Sequence, residues 1–249
     1  MTLTIRSAKP PEELSEFVES YWMLFNDSPE SRDVVILPDG RIDLLFSRSN
    51  DESFHSTLVG LDTRPDNVTI AAGTLIFSVS FKLPAMEYIL GMQVADLIDT
   101  AKNMEPGFWG FSMADLEDFE EFCNKATGKI KSLLSSDIDA RKQTLFRLIY
   151  ASDGATTVKE LSEKAFWSSR QINRYFTAQY GISLKAYCGI LRFRASFFHL
   201  KFGKLYPEQN FADQSHFIKE VKKLAGVIPK ELSRNKDDRF IQFSVLPEE

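Results

Sequence analysis

The run Ser168-Ser169-Arg170-Gln171-Ile172-Asn173-Arg174-Tyr175-Phe176, closing at Gly181, decides how the last third of this chain reads. Ser168 is a helix-capping residue and Gly181 a helix stop. Between them Ile172 and Phe176 fall four apart, with Tyr175 beside them, on one inward face. Arg170, Asn173 and Arg174 are left on the outward face. A second run, about forty-five residues on, repeats the arrangement: Asp213-Gln214-Ser215-His216-Phe217-Ile218-Lys219-Glu220-Val221-Lys222-Lys223 closes at Gly226, with Pro229 beyond. There Phe217 and Val221 face inward, while Gln214, Ser215, Ile218, Lys219 and Lys222 lie outward or on the flank. An arginine fork suits guanine or phosphate, an amide suits an adenine edge, and lysine suits phosphate. A single such face is more often the solvated side of an ordinary helix. Two of them, in matched hydrophobic frames, read as a pair of recognition helices for double-stranded DNA.

Working outward, Thr157 and Glu160 form a capping box ahead of Val158, Leu161 and Ala165. That helix, the turn around Phe166-Trp167 and the helix from Ser168 predict a helix-turn-helix. Before it, Asp137–Ala151 reads as an amphipathic helix carrying Leu145, Phe146, Leu148 and Ile149, stopped by Ser152-Asp153-Gly154. The domain boundary is expected there, giving a sensor, ligand-binding or dimerisation domain over 1–150 and a DNA-binding domain over 151–249.

Charge supports that division. The chain of 249 residues, 43% hydrophobic and 26% charged, is long enough for two domains and carries a net charge of −5. Residues 1–150 hold 14 Lys and Arg against 24 Asp and Glu, whereas residues 151–249 hold 16 against 11. The base-rich part is the part with the helix pair. Two cysteines, Cys123 and Cys188, have no framework spacing, so disulfides are not expected to hold the fold. No basic stretch leads into an apolar run, and nothing approaches the roughly 18 apolar residues of a membrane span; a cytoplasmic protein without a membrane partner is expected.

In the N-terminal half, Leu14, Phe17, Val18, Tyr21, Trp22 and Phe25 recur at helical intervals and predict a helix over 11–25, with a late switch to strand as the alternative. Val34–Leu37 and Ile42–Phe46 flank Pro38-Asp39-Gly40-Arg41 and predict a hairpin. Further strands are expected at Thr57–Leu61, Val68–Ala71 and Thr74–Phe81, a spacing that suggests a small barrel or sandwich. Helical periodicity returns from Pro84 through Ile98, and again over Met113–Thr127 and Ile130–Ser135.

Residues 157–232 resemble the DNA-binding domain of the arabinose-regulator (AraC/XylS) family of bacterial transcription factors. The residues that carry the likeness are Leu161-Ser162, Ser168–Phe176, Gly181-Ile182-Ser183, Tyr187, Arg192-Phe193-Arg194-Ala195, Phe211–Phe217, Gly226 and Pro229. The resemblance implies two helix-turn-helix units joined by a stiff linker helix, here about Leu184–Lys201. That linker would set two recognition helices into successive major-groove segments about 34 Å apart. By position in the pattern, Arg170, Asn173 and Arg174 resemble the first unit's base and phosphate contacts, and Gln214, Ser215 and Lys219 the second's; Lys222, on the outward flank, is a phosphate candidate from the helix spacing alone. The chain departs from the family where Pro207 forbids a regular helix ahead of the second recognition helix, where Asn210 replaces a glycine, and where Val221 replaces an aromatic. The N-terminal half resembles a sensor domain of some family members through Tyr21-Trp22, Ile36–Gly40, Asp43–Phe46 and Phe77–Pro84. This implies a cupin-like β-barrel with appended helices, hence an α+β fold class with an all-α C-terminal domain. Candidate ligand-binding residues there are Trp22, Asp39, Arg41, Asp43 and Phe81.

The expected function is a one-component, sequence-specific transcriptional regulator modulated by a small-molecule effector, with the helices at 113–151 bridging the domains and able to pair subunits as a homodimer. The alternative is a degenerate member, its second unit abbreviated over Leu205–Asn210, acting as a ligand-binding or protein-interaction module. An enzyme is not expected. His55, His199 and His216 stand far apart, no His-x-His pairing offers a metal-cupin ligand set, and neither GxxxxGK nor GxGxxG occurs, so no metal or cofactor is expected.

Overall fold

The computed structural model describes residues 3–206, 211 and 213–244. Pro207–Asn210, on which the abbreviated second unit rested, and Ala212 lie outside the described residues. Two compact units emerge: Met1–Asp33, Arg41–Gly60 and Thr69–Asp137 form the first, and Val34–Gly40, Leu61–Val68 and Ile138–Glu249 the second.

The first unit is built on strands β1 (Thr4–Ala8), β2 (Val18–Phe25), β4 (Ile42–Arg48), β5 (His55–Val59), β7 (Leu75–Phe81) and β8 (Ala101–Asn103), ordered β1-β2-β7-β4-β5-β8 in one sheet with antiparallel neighbours. Strands β3 (Arg32–Ile36) and β6 (Asp66–Ile70) pair separately, their residues divided between the units. The expected closed barrel is therefore not formed among the described residues; the large sheet is open, with β1 and β8 as its edges. Helix α1 (Pro84–Tyr88) is short, and α2 (Phe119–Leu133) is capped by the Asp118 carboxylate, which accepts from the Glu121 amide at 2.9 Å.

Alternation along β7 explains why it is central. Leu75, Phe77, Val79 and Phe81 point to one face, where Phe77 meets the rings of Phe119 and Phe122 edge-on, each at 5.3 Å. Tyr21 and Leu44 flank Val79 in the same row, and the Tyr21 hydroxyl lies 2.7 Å from Thr127 Oγ1. The opposite face presents Ser20, Trp22, Ser78, Ser80 and Asp43.

Three expectations are corrected here. Residues 11–25 form a single 3-10 turn and then strand β2, because β2 has buried positions on both faces and a two-sided strand imitates helical spacing. The runs around Pro38–Arg41 do not form a hairpin: β3 pairs with β6, while β4 pairs with β5 and β7. The helical reading from Pro84 stops at Tyr88; the continuation to Leu97 is only a 3-10 turn, and the wholly exposed β8 follows it.

The second unit contains α3 (Ala140–Ala151), α4 (Val158–Lys164), α5 (Ser169–Tyr180), α6 (Leu184–Ala195), α7 (Phe197–Lys201), α8 (Gln214–Ala225), α9 (Pro229–Arg234) and α10 (Ile241–Ser244). Asp139 caps α3, and the Arg141 guanidinium bonded to it holds its carboxyl down at about 2. Phe146 of α3 lies 5.6 Å from Phe176 and 6.1 Å from Tyr180, in a core shared with the fully buried Leu161, Ile172 and Tyr187. The Val34–Gly40 segment belongs to this unit. Leu37 exchanges two hydrogen bonds with the Gln242 amide at 3.0 and 2.9 Å, and the Tyr187 hydroxyl donates to Gly40 O at 3.1 Å.

Gly154, between α3 and α4, has φ +71, and a Cβ there would stand 2.5 Å from the Cys188 carbonyl oxygen. Its own carbonyl accepts from Arg192 Nη1 at 2.7 Å. Backbone cannot yield as a side chain can, so Gly154→Ala is expected to destabilise the second unit by about 2–4 kcal/mol. Gly203→Ala, at φ +75 but with open space around it, is expected to cost only about 1 kcal/mol. Denaturant unfolding followed at Trp167 distinguishes the two.

Candidate nucleic-acid interface

Helix α4 starts where Thr157 and Glu160 cap each other: the Glu160 amide donates to Thr157 Oγ1 at 3.2 Å, and the Thr157 amide to Glu160 Oε2 at 3.0 Å. The Thr157 hydroxyl, which donates to Glu160 Oε2 at 2.8 Å, and then the Thr157 amide draw the Glu160 carboxyl below its usual range. The helix ends in a Schellman turn, with the Phe166 amide donating to Glu163 O and the Trp167 amide to Ser162 O. The residue in the left-handed position of this turn is Phe166, at φ +50, where glycine is usual. A left-handed non-glycine residue costs about 1–2 kcal/mol, and the Phe166 ring recovers none of it by burial, being 89% exposed. Next to it, Trp167 is half-buried, 5.3 Å from the Tyr175 ring and beneath the Arg141 guanidinium.

Helix α5 opens on a second reciprocal cap, Ser168 with Gln171, and closes at Gly181. Its inward face buries Ile172, Phe176 and Tyr180 completely. Arg170 and Arg174 are exposed, and Asn173 is half-buried with its Nδ2 donating to Ser169 O at 3.0 Å. Helix α8 repeats the scheme. Asp213 accepts from the His216 amide at 2.8 Å, Phe217, Val221, Leu224 and Ala225 are buried, and Gly226 closes the helix with φ 73. Gln214, Ser215, Ile218, Lys219 and Lys222 are all exposed. Both helices thus join a buried apolar stripe to an exposed cationic and amide-bearing one. Helices α6 and α7 meet at Ser196, whose backbone stays helical (φ −78, ψ −11), between these two elements.

The candidate ligand residues are more scattered. Trp22 Nε1 donates to Asp43 Oδ1 at 3.2 Å on the serine-bearing face of the sheet. Phe81 is fully buried on the other face, 6.1 Å from Trp109, and Asp39 counts with the second unit. Arg41, its side chain 3% exposed, donates to Glu19 Oε2 at 3.0 Å, and Lys82 and Lys9 each approach the same carboxylate to 3.7 Å. Burial pushes the Lys82 ammonium below its usual range. Glu19 and Lys82 are partners that sequence reading missed: Glu19 sits in a stretch read as helix, which hid its neighbours across the sheet.

Burial raises the thiols of Cys123 and Cys188 to about 11, so neither is a thiolate nucleophile at neutral pH. Among the described residues no group of three or more His, Cys, Asp or Glu is placed to hold a metal ion, and no helix is long and apolar enough to cross a membrane.

Residues 6–103 match a family described as a domain of unknown function, DUF6597. A search of curated proteins finds no match. Among solved structures, the chain is similar to ToxT from Vibrio cholerae at 13% identity, over 94% of this chain and 97% of that one, with a TM-score of 0.45. A ToxT structure bound to (E)-4-(8-methylnaphthalen-1-yl)but-3-enoic acid is similar at 15% identity, over 94% and 98%, with a TM-score of 0.44, and an unsaturated fatty acid bound form at 13%, over 100% and 97%, with a TM-score of 0.40.

Proposed function

We propose that the chain is a one-component transcriptional regulator that binds specific double-stranded DNA through α5 and α8 and is modulated by a small-molecule effector at its N-terminal half. In this reading residues 151–249, with a core at 157–232, are an AraC/XylS-type DNA-binding domain. Helices α4 and α5 make its first helix-turn-helix, and α8 carries the second recognition surface. One observation carries the reading: two capped, glycine-closed helices share the same pattern of buried apolar and exposed basic or amide side chains. A solvated helix has no need for that match to recur. Arg170 and Arg174 serve guanine or phosphate, Asn173 and Gln214 serve base edges, and Lys219 and Lys222, with Ser215, hold phosphates. An effector acts only by binding DNA-competent and DNA-incompetent arrangements with different affinity; the Trp22–Asp43 pair on the serine-bearing sheet face is its proposed site.

The test is enrichment of bound duplexes from a random pool by the purified full chain, repeated with two variants. Asn173→Ala is expected to relax discrimination at one cluster of base pairs and Gln214→Ala at another, by about 1–3 kcal/mol each. Variants that enrich the same sites as the parent protein, with equal stringency, would contradict the assigned roles.

A further inference from the structure

Phe166 breaks two rules at once: a bulky side chain occupies a left-handed turn position, and its apolar ring stands in solvent. Strain of this kind is enforced by the surrounding fold and clusters at functional sites. Three observations say what this one serves. Phe166 lies two residues before the Ser168 cap, at the end of α5 where Arg170 is exposed, and recognition helices present their N-terminal residues to base edges. Residues 137–185, which span this turn, hold eight Lys and Arg against five Asp and Glu, so the complementary surface is anionic. Phe166 carries no charge, and the one apolar group that a DNA major groove offers a phenyl ring is the thymine C5-methyl.

We propose that Phe166 is a specificity-determining DNA contact whose ring covers a thymine methyl in the major groove beside α5. The proposal rests on α5 being a recognition helix and adds a residue and a base preference to that reading.

The test uses the full chain, a duplex enriched from a random pool by the parent protein, and single replacements of each thymine in that duplex by deoxyuridine, which lacks only the methyl. The parent protein is expected to lose about fourfold in affinity at one thymine, the worth of one buried methyl. Phe166→Gly is expected to bind the unmodified duplex several-fold more weakly and to be indifferent to that replacement. Because the left-handed strain that glycine relieves exceeds the unfolded-chain freedom it adds, the same variant is expected to melt about 2–4 °C higher, so weakened binding cannot come from a damaged fold. Phe166→Leu, which keeps an apolar group, is expected to retain part of the methyl sensitivity. A Phe166→Gly protein that binds as tightly as the parent with the same thymine preference overturns the proposal, as does one that gains no stability. If the parent protein enriches no duplex at all, it is the DNA-binding reading that fails.

Discussion

Ile172→Asp is expected to unfold the second unit while leaving the first folded. Ile172 is completely buried on the inward face of α5, in the core that Leu161, Phe176 and Tyr187 share. A carboxylate there has no cation on the inward face of its own helix. It must be buried charged, be buried protonated, or force the helix off its core, and each route costs about 4 kcal/mol or more. Against a typical domain stability of about 5–15 kcal/mol, that removes most or all of the margin. Hydrogen exchange is the appropriate readout because it reports each element separately. Amides of α4, α5 and α6 should exchange freely, while those of β2, β4 and β7 keep their protection. Ile172→Val, which removes one methylene from the same site, should cost only about 1 kcal/mol. Simultaneous loss of protection in both units would show that they do not fold independently.

The second large effect is expected from surface charge. Replacing Arg170, Arg174, Lys219 and Lys222 together by alanine removes four exposed cations from the two outward faces. Each phosphate contact releases close to one counterion, so the slope of log affinity against log salt should fall by about 3–4. Affinity at low salt should drop roughly 100-fold or more, for specific and nonspecific duplexes alike. Because the four side chains are exposed, the melting temperature should scarcely move. A variant that keeps the parent's salt dependence would place the DNA-facing surface elsewhere on the molecule.

How much of this was legible in the sequence depended on how local the determining physics is. Helices α5 and α8 were readable almost residue by residue, since a cap at Ser168 or Asp213, a stop at Gly181 or Gly226 and the apolar spacing between them are all short-range. The capping box at Thr157 and Glu160 was visible for the same reason. Strand β7 was legible from its alternation alone. What failed was long-range. The Pro38–Arg41 turn carries a good local hairpin signal, yet β3 pairs with β6, and Leu37, between β3 and the turn, bonds to Gln242, 205 residues away, which no local pattern can announce. Strand β2 was misread because burial on both faces erases a two-residue period. Strand β8, with Ala101, Lys102 and Asn103 all exposed, had no apolar signal; its place on the edge of the sheet beside β5 makes it a strand. Of the N-terminal candidates, Trp22 and Asp43 are brought together by the register of β2 and β4 on β7, while Phe81 is carried to the other face by the alternation that identified its strand. Phe166 reads from the sequence only as part of a turn, because a left-handed turn residue is recognised by being glycine, and here the informative fact is that it is not.

In the proposed complex α5 and α8 enter neighbouring major-groove segments on one side of a single duplex. Methylation protection of guanine N7, which lies in the major groove, tests it most directly on a duplex enriched by the parent protein. The expected result is two patches of protection on one face, with centres about one helical turn, or 10 base pairs, apart. Ala substitutions at Arg170, Asn173 and Arg174 should erase one patch, and substitutions at Gln214 and Lys219 the other. A single patch insensitive to the α8 substitutions, or a bound duplex whose guanine N7 positions are nowhere protected, would contradict the account.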